Sequence, residues 1–114
     1  MSGETDRLPQ LERELDALLA SAERIAARGK DLFFDPVDDT QRLAAEAIVV
    51  RLADLVSRLP AEFTERFSPV PWVRITGMRN RLAHDYRRTD ARLVWAVIAV
   101  ELPRIRSILA GGSG

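Results

Sequence analysis

Cysteine is missing from all 114 residues, which excludes disulfides and thiolate-held metals. Histidine occurs once, at His84, too few for a histidine-rich metal site within one subunit. Tyrosine and lysine also occur once each, at Tyr86 and Lys30. No apolar run is long enough to cross a bilayer, and the first residues are too polar for a secretory leader. The expectation is a cytoplasmic protein with no membrane contact and no bound cofactor. Strand signals are also scarce. The β-branched clusters "IVV" and "VWAVIAV" sit inside longer helical patterns, so helix is the reading for both.

The remaining composition is ordinary for a globular chain, with 46% hydrophobic and 30% charged residues. The net charge of zero conceals an asymmetry. Residues 1–71 carry nine basic and fourteen acidic residues, 9 − 14 = −5, and residues 72–114 carry eight and three, 8 − 3 = +5. A basic half attracts phosphate, but it can equally pair with the acidic half of the same fold or of a partner.

Four helices account for the apolar spacing. The first places Leu8, Leu11, Leu15, Leu18, Leu19, Ala22 and Ile25 on one face and stops at Gly29. "KDLFFDPVDD" reads as a loop that folds Phe33 and Phe34 back on the core. The second helix starts near Asp39, with Leu43, Ala47, Val50 and Leu55 among its core positions, and ends or bends at Pro60. "AEFTERFS" allows a short helical turn or two. The third helix begins around Pro71 and runs from Trp72 to about Arg87. Thr89 or Asp90 caps the fourth, which is apolar nearly all round in its first half and kinked by Pro103. The expected architecture is all-α: an antiparallel up-and-down four-helix bundle with a possible extra short helix. One domain is expected over residues 1–110, with 111–114 a disordered tail.

The stretch "GMRNRLAHDYRR", 77–88, gathers four arginines with the only histidine and the only tyrosine. A helix turns about 100° per residue. With Arg79 as zero, Trp72 falls at about +20°, Ile75 at about −40°, Leu82 at about −60° and Tyr86 at about −20°. Arg79 therefore lies on the apolar stripe, where a guanidinium is costly unless paired. Asn80 falls at about +100°, His84 at about +140° and Gly77 at about +160°. Arg81, Asp85 and Arg88 point elsewhere and read as a solvated face.

Each of these residues also has an ordinary reading. A lone helical histidine is more often structural or exposed than catalytic. An arginine in an apolar stripe is more often an ion-pair partner, here of Glu46 or Asp54. A helical tyrosine is usually core with a wet hydroxyl. Together, however, they suit one metal-free reaction, attack of an RNA 2′-hydroxyl on the adjacent phosphorus. Histidine serves as base near neutral pH, and arginine forks onto the phosphoryl oxygens. Asn80 can orient the histidine or donate to phosphate. A symmetric dimer would supply a second histidine as acid.

The spacing from Arg79 through Asn80 and His84 to Tyr86 resembles the Arg–X4–His–X–Tyr motif of the HEPN superfamily. More narrowly, "PWVRITGMRNRLAHDYRRTDARLVWAVIAVELPRI" is similar to the HepT-like toxin family, and "AEAIVVRLADL" resembles that family's second helix, with Glu46 on its recurrent glutamate. Ala45 stands where a glycine usually precedes that glutamate. The resemblance implies a homodimer through the motif-bearing helices, with two motifs meeting in a cleft. It implies a metal-independent endoribonuclease with Arg79 and His84 catalytic and Asn80 assisting; Arg74 and Arg87 are candidate contacts to RNA phosphate. It further implies a toxin of a type VII-like toxin–antitoxin system. Its partner would be an MntA-type nucleotidyltransferase antitoxin that neutralises it by transferring AMP to Tyr86. The alternative is a non-catalytic HEPN interaction module that binds its nucleotidyltransferase partner, nucleotide or RNA without cleavage.

Overall fold

The computed structural model describes residues 3–84 and 90–111, and the side chains of residues 7–78, 80 and 90–111. Among the described residues, regular structure is entirely helical. Helix α1 is Gly3–Ala27, α2 is Lys30–Phe33, α3 is Thr40–Ser57 and α4 is Ala61–Arg66. Helix α5 is Trp72–His84 and α6 is Ala91–Ala96; α6 continues through a π-helical stretch, Val97–Glu101, into α7, Leu102–Ala110. The long elements are thus α1, α3, α5 and the composite last helix, the expected four. The bundle measures 50 × 29 × 21 Å.

Helix α1 buries Leu11, Leu15, Leu19, Ala22 and Ile25, a single stripe at helical spacing. It begins at Gly3, a turn and more before the expected start, and runs through Pro9. Gly29 ends the run with φ 95°, a left-handed backbone that favours glycine. The loop expected after it contains the short helix α2. Phe33 is 2% exposed, as expected, but Phe34 is 38% exposed and lies over Trp95 at the surface.

Helix α3 corrects the sequence reading. Leu43, Ala47 and Val50 are exposed, whereas Ala45, Ile48, Leu52 and Leu55 enter the main core and Val49 and Ala53 are buried beside it. Of the expected core positions only Leu55 is buried. The reason is compositional. This helix carries apolar residues around most of its circumference, so the period alone does not select a face. Packing on α1 and α5 selects it. Its cap also differs by one residue: Asp39 occupies the N-cap position without a side-chain bond, and Asp38 accepts from the Thr40 N–H at 3.0 Å.

The last helix buries Val94, Ile98, Leu102 and Ile105, at spacings of four, four and three. A uniform α-helix would let successive spacings of four drift around the cylinder. The wider turn at 97–101, closed by the Leu102 N–H on the Val97 carbonyl, takes up that drift just before Pro103. The π-helical segment thus lies just before Pro103, where the sequence suggested a kink.

Candidate active site

The N-terminal end of α5 is fixed by its own sequence. Val70 is 2% exposed and anchors the chain before the helix. Pro71 precedes the first helical residue and accepts from the Ile75 N–H at 3.1 Å. The Trp72 indole N–H donates to the Thr64 carbonyl at 3.0 Å and to the Phe67 carbonyl at 3.1 Å. Those carbonyls lie at the end of the short helix α4; the Phe67 carbonyl also accepts from the Val70 N–H at 3.0 Å, so the indole adds a second donor there and reaches the Thr64 carbonyl as well. The Trp72 ring lies 6.0 Å from Phe63, which in turn packs 5.0 Å from Phe67. Ile75 and Met78 are buried one turn further on, and α5 packs along α3.

Helix α5 then carries the motif outward from this anchored end. Arg79 and His84 lie on the helix, with their side chains outside the described residues. Tyr86 and Arg87 are outside the described residues entirely. Asn80 is exposed, so its amide is accessible to a ligand. Arg74 is 58% exposed, and its Nη2 lies 3.0 Å from Glu101 Oε1. Sequence reasoning offered Arg74 to phosphate and did not foresee this pair. Glu101 lies at the end of the π-helical stretch, and helical periodicity carries no signal for it.

The two acids considered as partners of Arg79 have other arginines beside them. Glu46 lies 3.6 Å from Arg42, and Asp54 lies 3.5 Å from Arg58. Burial pushes the Glu46 carboxyl above the usual glutamate pKa; Arg42 opposes the shift and Asp39 adds to it. Glu46 is thus a half-buried carboxyl on the helix that packs against α5.

Beyond residues 85–89 the chain is caught by Asp90. Its carboxylate accepts from the Arg92 N–H at 2.9 Å and the Arg92 Nε–H at 3.3 Å. These bonds hold Asp90 below the ordinary aspartate pKa. Of the two caps considered, Asp90 is the one seen; Thr89 is outside the described residues. The motif is therefore bracketed by the Trp72 anchor before it and the Asp90 cap after it. The chemistry available on α5 is cationic. It holds Arg74, Arg79 and Arg81 and no acid. Among the described residues no cluster of histidine or acids could hold a metal.

A family model described as ribonuclease HepT-like matches residues 15–110. The chain belongs to the ribonuclease HepT-like family. The match takes in the second half of α1, every later helix and the whole motif. A protein of Caldanaerobacter subterraneus subsp. tengcongensis named "Putative RNase TTE0752" is 33% identical over 96 residues, covering 80% of this chain and 83% of its own. Two proteins of Methanocaldococcus jannaschii are also similar. "Putative RNase MJ1380" is 26% identical over 93 residues, 78% of this chain and 84% of that protein. "Gamma-glutamylcyclotransferase and putative RNase MJ0434" is 28% identical over 95 residues, 81% of this chain but only 42% of that longer protein. No solved structure gives a significant match. The HepT-like chain thus resembles proteins named as RNases, and its all-helical bundle agrees with that family. No helix among the described residues is long and apolar enough to cross a membrane.

Proposed function

We propose that this HepT-like protein is a metal-independent endoribonuclease acting as the toxin of a toxin–antitoxin pair. The observation that carries the reading is the family match over residues 15–110 together with an intact Arg79–Asn80–His84–Tyr86 motif on and just beyond α5. The neutral His84 imidazole takes the proton of an RNA 2′-hydroxyl. The 2′-oxygen bonds to the adjacent phosphorus, and the bond from phosphorus to the 5′-oxygen breaks. The products are a 2′,3′-cyclic phosphate and a 5′-hydroxyl, whose proton comes from the His84 of a second copy or from water. Arg79 neutralises the charge that grows on the phosphoryl oxygens, and Asn80 donates to phosphate or orients the imidazole. Arg87 adds positive charge along the RNA, and Arg74 joins it when a phosphate competes with Glu101.

A homodimer completes this site, because one imidazole cannot be base and acid at the same instant. Leu93 and Val100 of the last helix are 63% and 52% exposed and supply apolar surface for such a contact. Control falls on Tyr86. A nucleotidyltransferase partner joins its phenolic oxygen to the α-phosphorus of ATP and releases pyrophosphate. The added AMP puts negative charge and bulk where RNA phosphate must lie.

The direct test is RNA cleavage by purified variants. His84→Ala and Arg79→Ala are expected to lower cutting by about a hundredfold or more while the dimer persists in sedimentation. Intact mass after co-expression with the partner should show AMP on the wild type and none on Tyr86→Phe. Undiminished cutting by pure His84→Ala would remove the assignment. Tight partner binding with no cutting by the wild type would favour the interaction-module reading.

A further inference from the structure

Gly77 sits in the middle of α5, where glycine costs helix stability relative to alanine. Nothing within the described chain requires it. Positive φ is confined, among the described residues, to Gly29. A methyl group built on Gly77 meets no described atom within 4 Å. Against the described residues the glycine is therefore neither a turn nor a packing notch, and the space beside it is open.

Helical register shows what that space adjoins. Measured from the buried Ile75, Val73 lies at about 160°, Gly77 at about 200°, Asn80 at about 140° and position 84 at about 180°. These four positions share the outward stripe of α5. Val73 on it is 87% exposed and Asn80 is exposed. Gly77 lies about 4.5 Å along the axis from Asn80 and about 10 Å from position 84. The bare backbone thus occurs within the run of residues assigned to the reaction.

Two occupants suit a bare helix backbone, a second copy of α5 or the substrate. Charge separates them. Two copies of α5 in contact at Gly77 would bring Arg74 and Arg81 of each helix, at about 260° and 240° in the same register, together with no acid on either helix. RNA brings one phosphate per nucleotide and is attracted by the same arginines. We infer that Gly77 is a substrate-approach position, where the sugar–phosphate chain of single-stranded RNA passes close enough to the α5 backbone that a Cβ would displace it. This rests on the ribonuclease reading and adds to it a residue that sets how deeply the substrate seats.

The test is Gly77→Ala, with Gly77→Val as a larger step. Three quantities are read: melting temperature, dimer mass, and RNA binding with single-turnover cleavage. Alanine should melt no lower than wild type and leave the dimer intact. It should reduce cleavage by roughly tenfold or more, because small displacements of a bound substrate are costly, and valine should reduce it further. Cleavage and binding within about twofold of wild type would overturn the inference. Loss of the dimer in Gly77→Ala would also overturn it, placing a second copy at the notch while leaving the ribonuclease reading standing. A wild-type protein that neither binds nor cuts RNA would overturn both.

Discussion

Phe33 and Phe34 are sequence neighbours with opposite surroundings. The sequence reading sent both into the core, because two aromatics in an acidic loop have few other reasons to be there. Only Phe33 is enclosed, with Trp95 at 5.0 Å; Phe34 meets Phe33 edge-on and stays at the surface. Side chains three or four residues apart on a helix share a face, but adjacent ones diverge by about 100°. Phe33→Ala is expected to cost about 3–5 kcal/mol, the usual value for emptying an aromatic core site. Phe34→Ala should cost about 1 kcal/mol, since its ring is only partly removed from water. Urea unfolding of the two variants checks the difference.

The motif stands out in the sequence for a different reason. His84 and Tyr86 are the only residues of their kinds, and they fall with Arg79 and Asn80 within eight residues. Glycine at 77 was legible too, but its meaning needed the structure. Only the open space around it shows that the helix itself does not require it.

At the scale of elements, the sequence placed every long helix, because each has a punctuation residue at its edge: Gly29, Pro60, Pro71 and Asp90. What it misjudged was rotation. Helix α1 has one apolar stripe and its buried face was read correctly. Helix α3 has apolar residues on several sides, and Leu43 and Val50 were put inside when they lie outside. The π-helical stretch was not legible either, since it answers the spacing of Val94, Ile98 and Leu102 against the rest of the core. Helix α5 depends on its first residue. The Trp72 indole N–H ties it to the end of α4 through two carbonyls. Trp72→Phe keeps an aromatic ring and removes the donor, leaving the Thr64 carbonyl without it while the Phe67 carbonyl keeps the Val70 N–H. The expected loss is about 1–3 kcal/mol. Hydrogen exchange should rise first at 72–78, with the α1 core unaffected; uniform acceleration across the chain would show that the tie is not local.

At the scale of the molecule, the charge asymmetry of the sequence is partly spent inside the fold. Arg106 of the basic half bonds to both Asp16 and Glu23 of the acidic half, fastening α7 to α1. Those two carboxylates also hold the guanidinium's pKa above its ordinary value. Helix α5 is different. Its three arginines have no acid on their own helix, and Arg74, 58% exposed, pairs with a half-buried Glu101 in a single contact worth about 1 kcal/mol. A phosphate can displace so weak a partner. The molecule thus carries one helix with three arginines and no acid within the motif region, which suits the metal-free phosphate chemistry proposed for it.

That claim is tested most directly by digesting a defined single-stranded RNA with the wild-type protein in excess EDTA and mapping both new ends. The account predicts that cutting persists at an unchanged rate and leaves a 2′,3′-cyclic phosphate opposite a 5′-hydroxyl. Loss of cutting on chelation, or products ending in a 3′-hydroxyl opposite a 5′-phosphate, would contradict it.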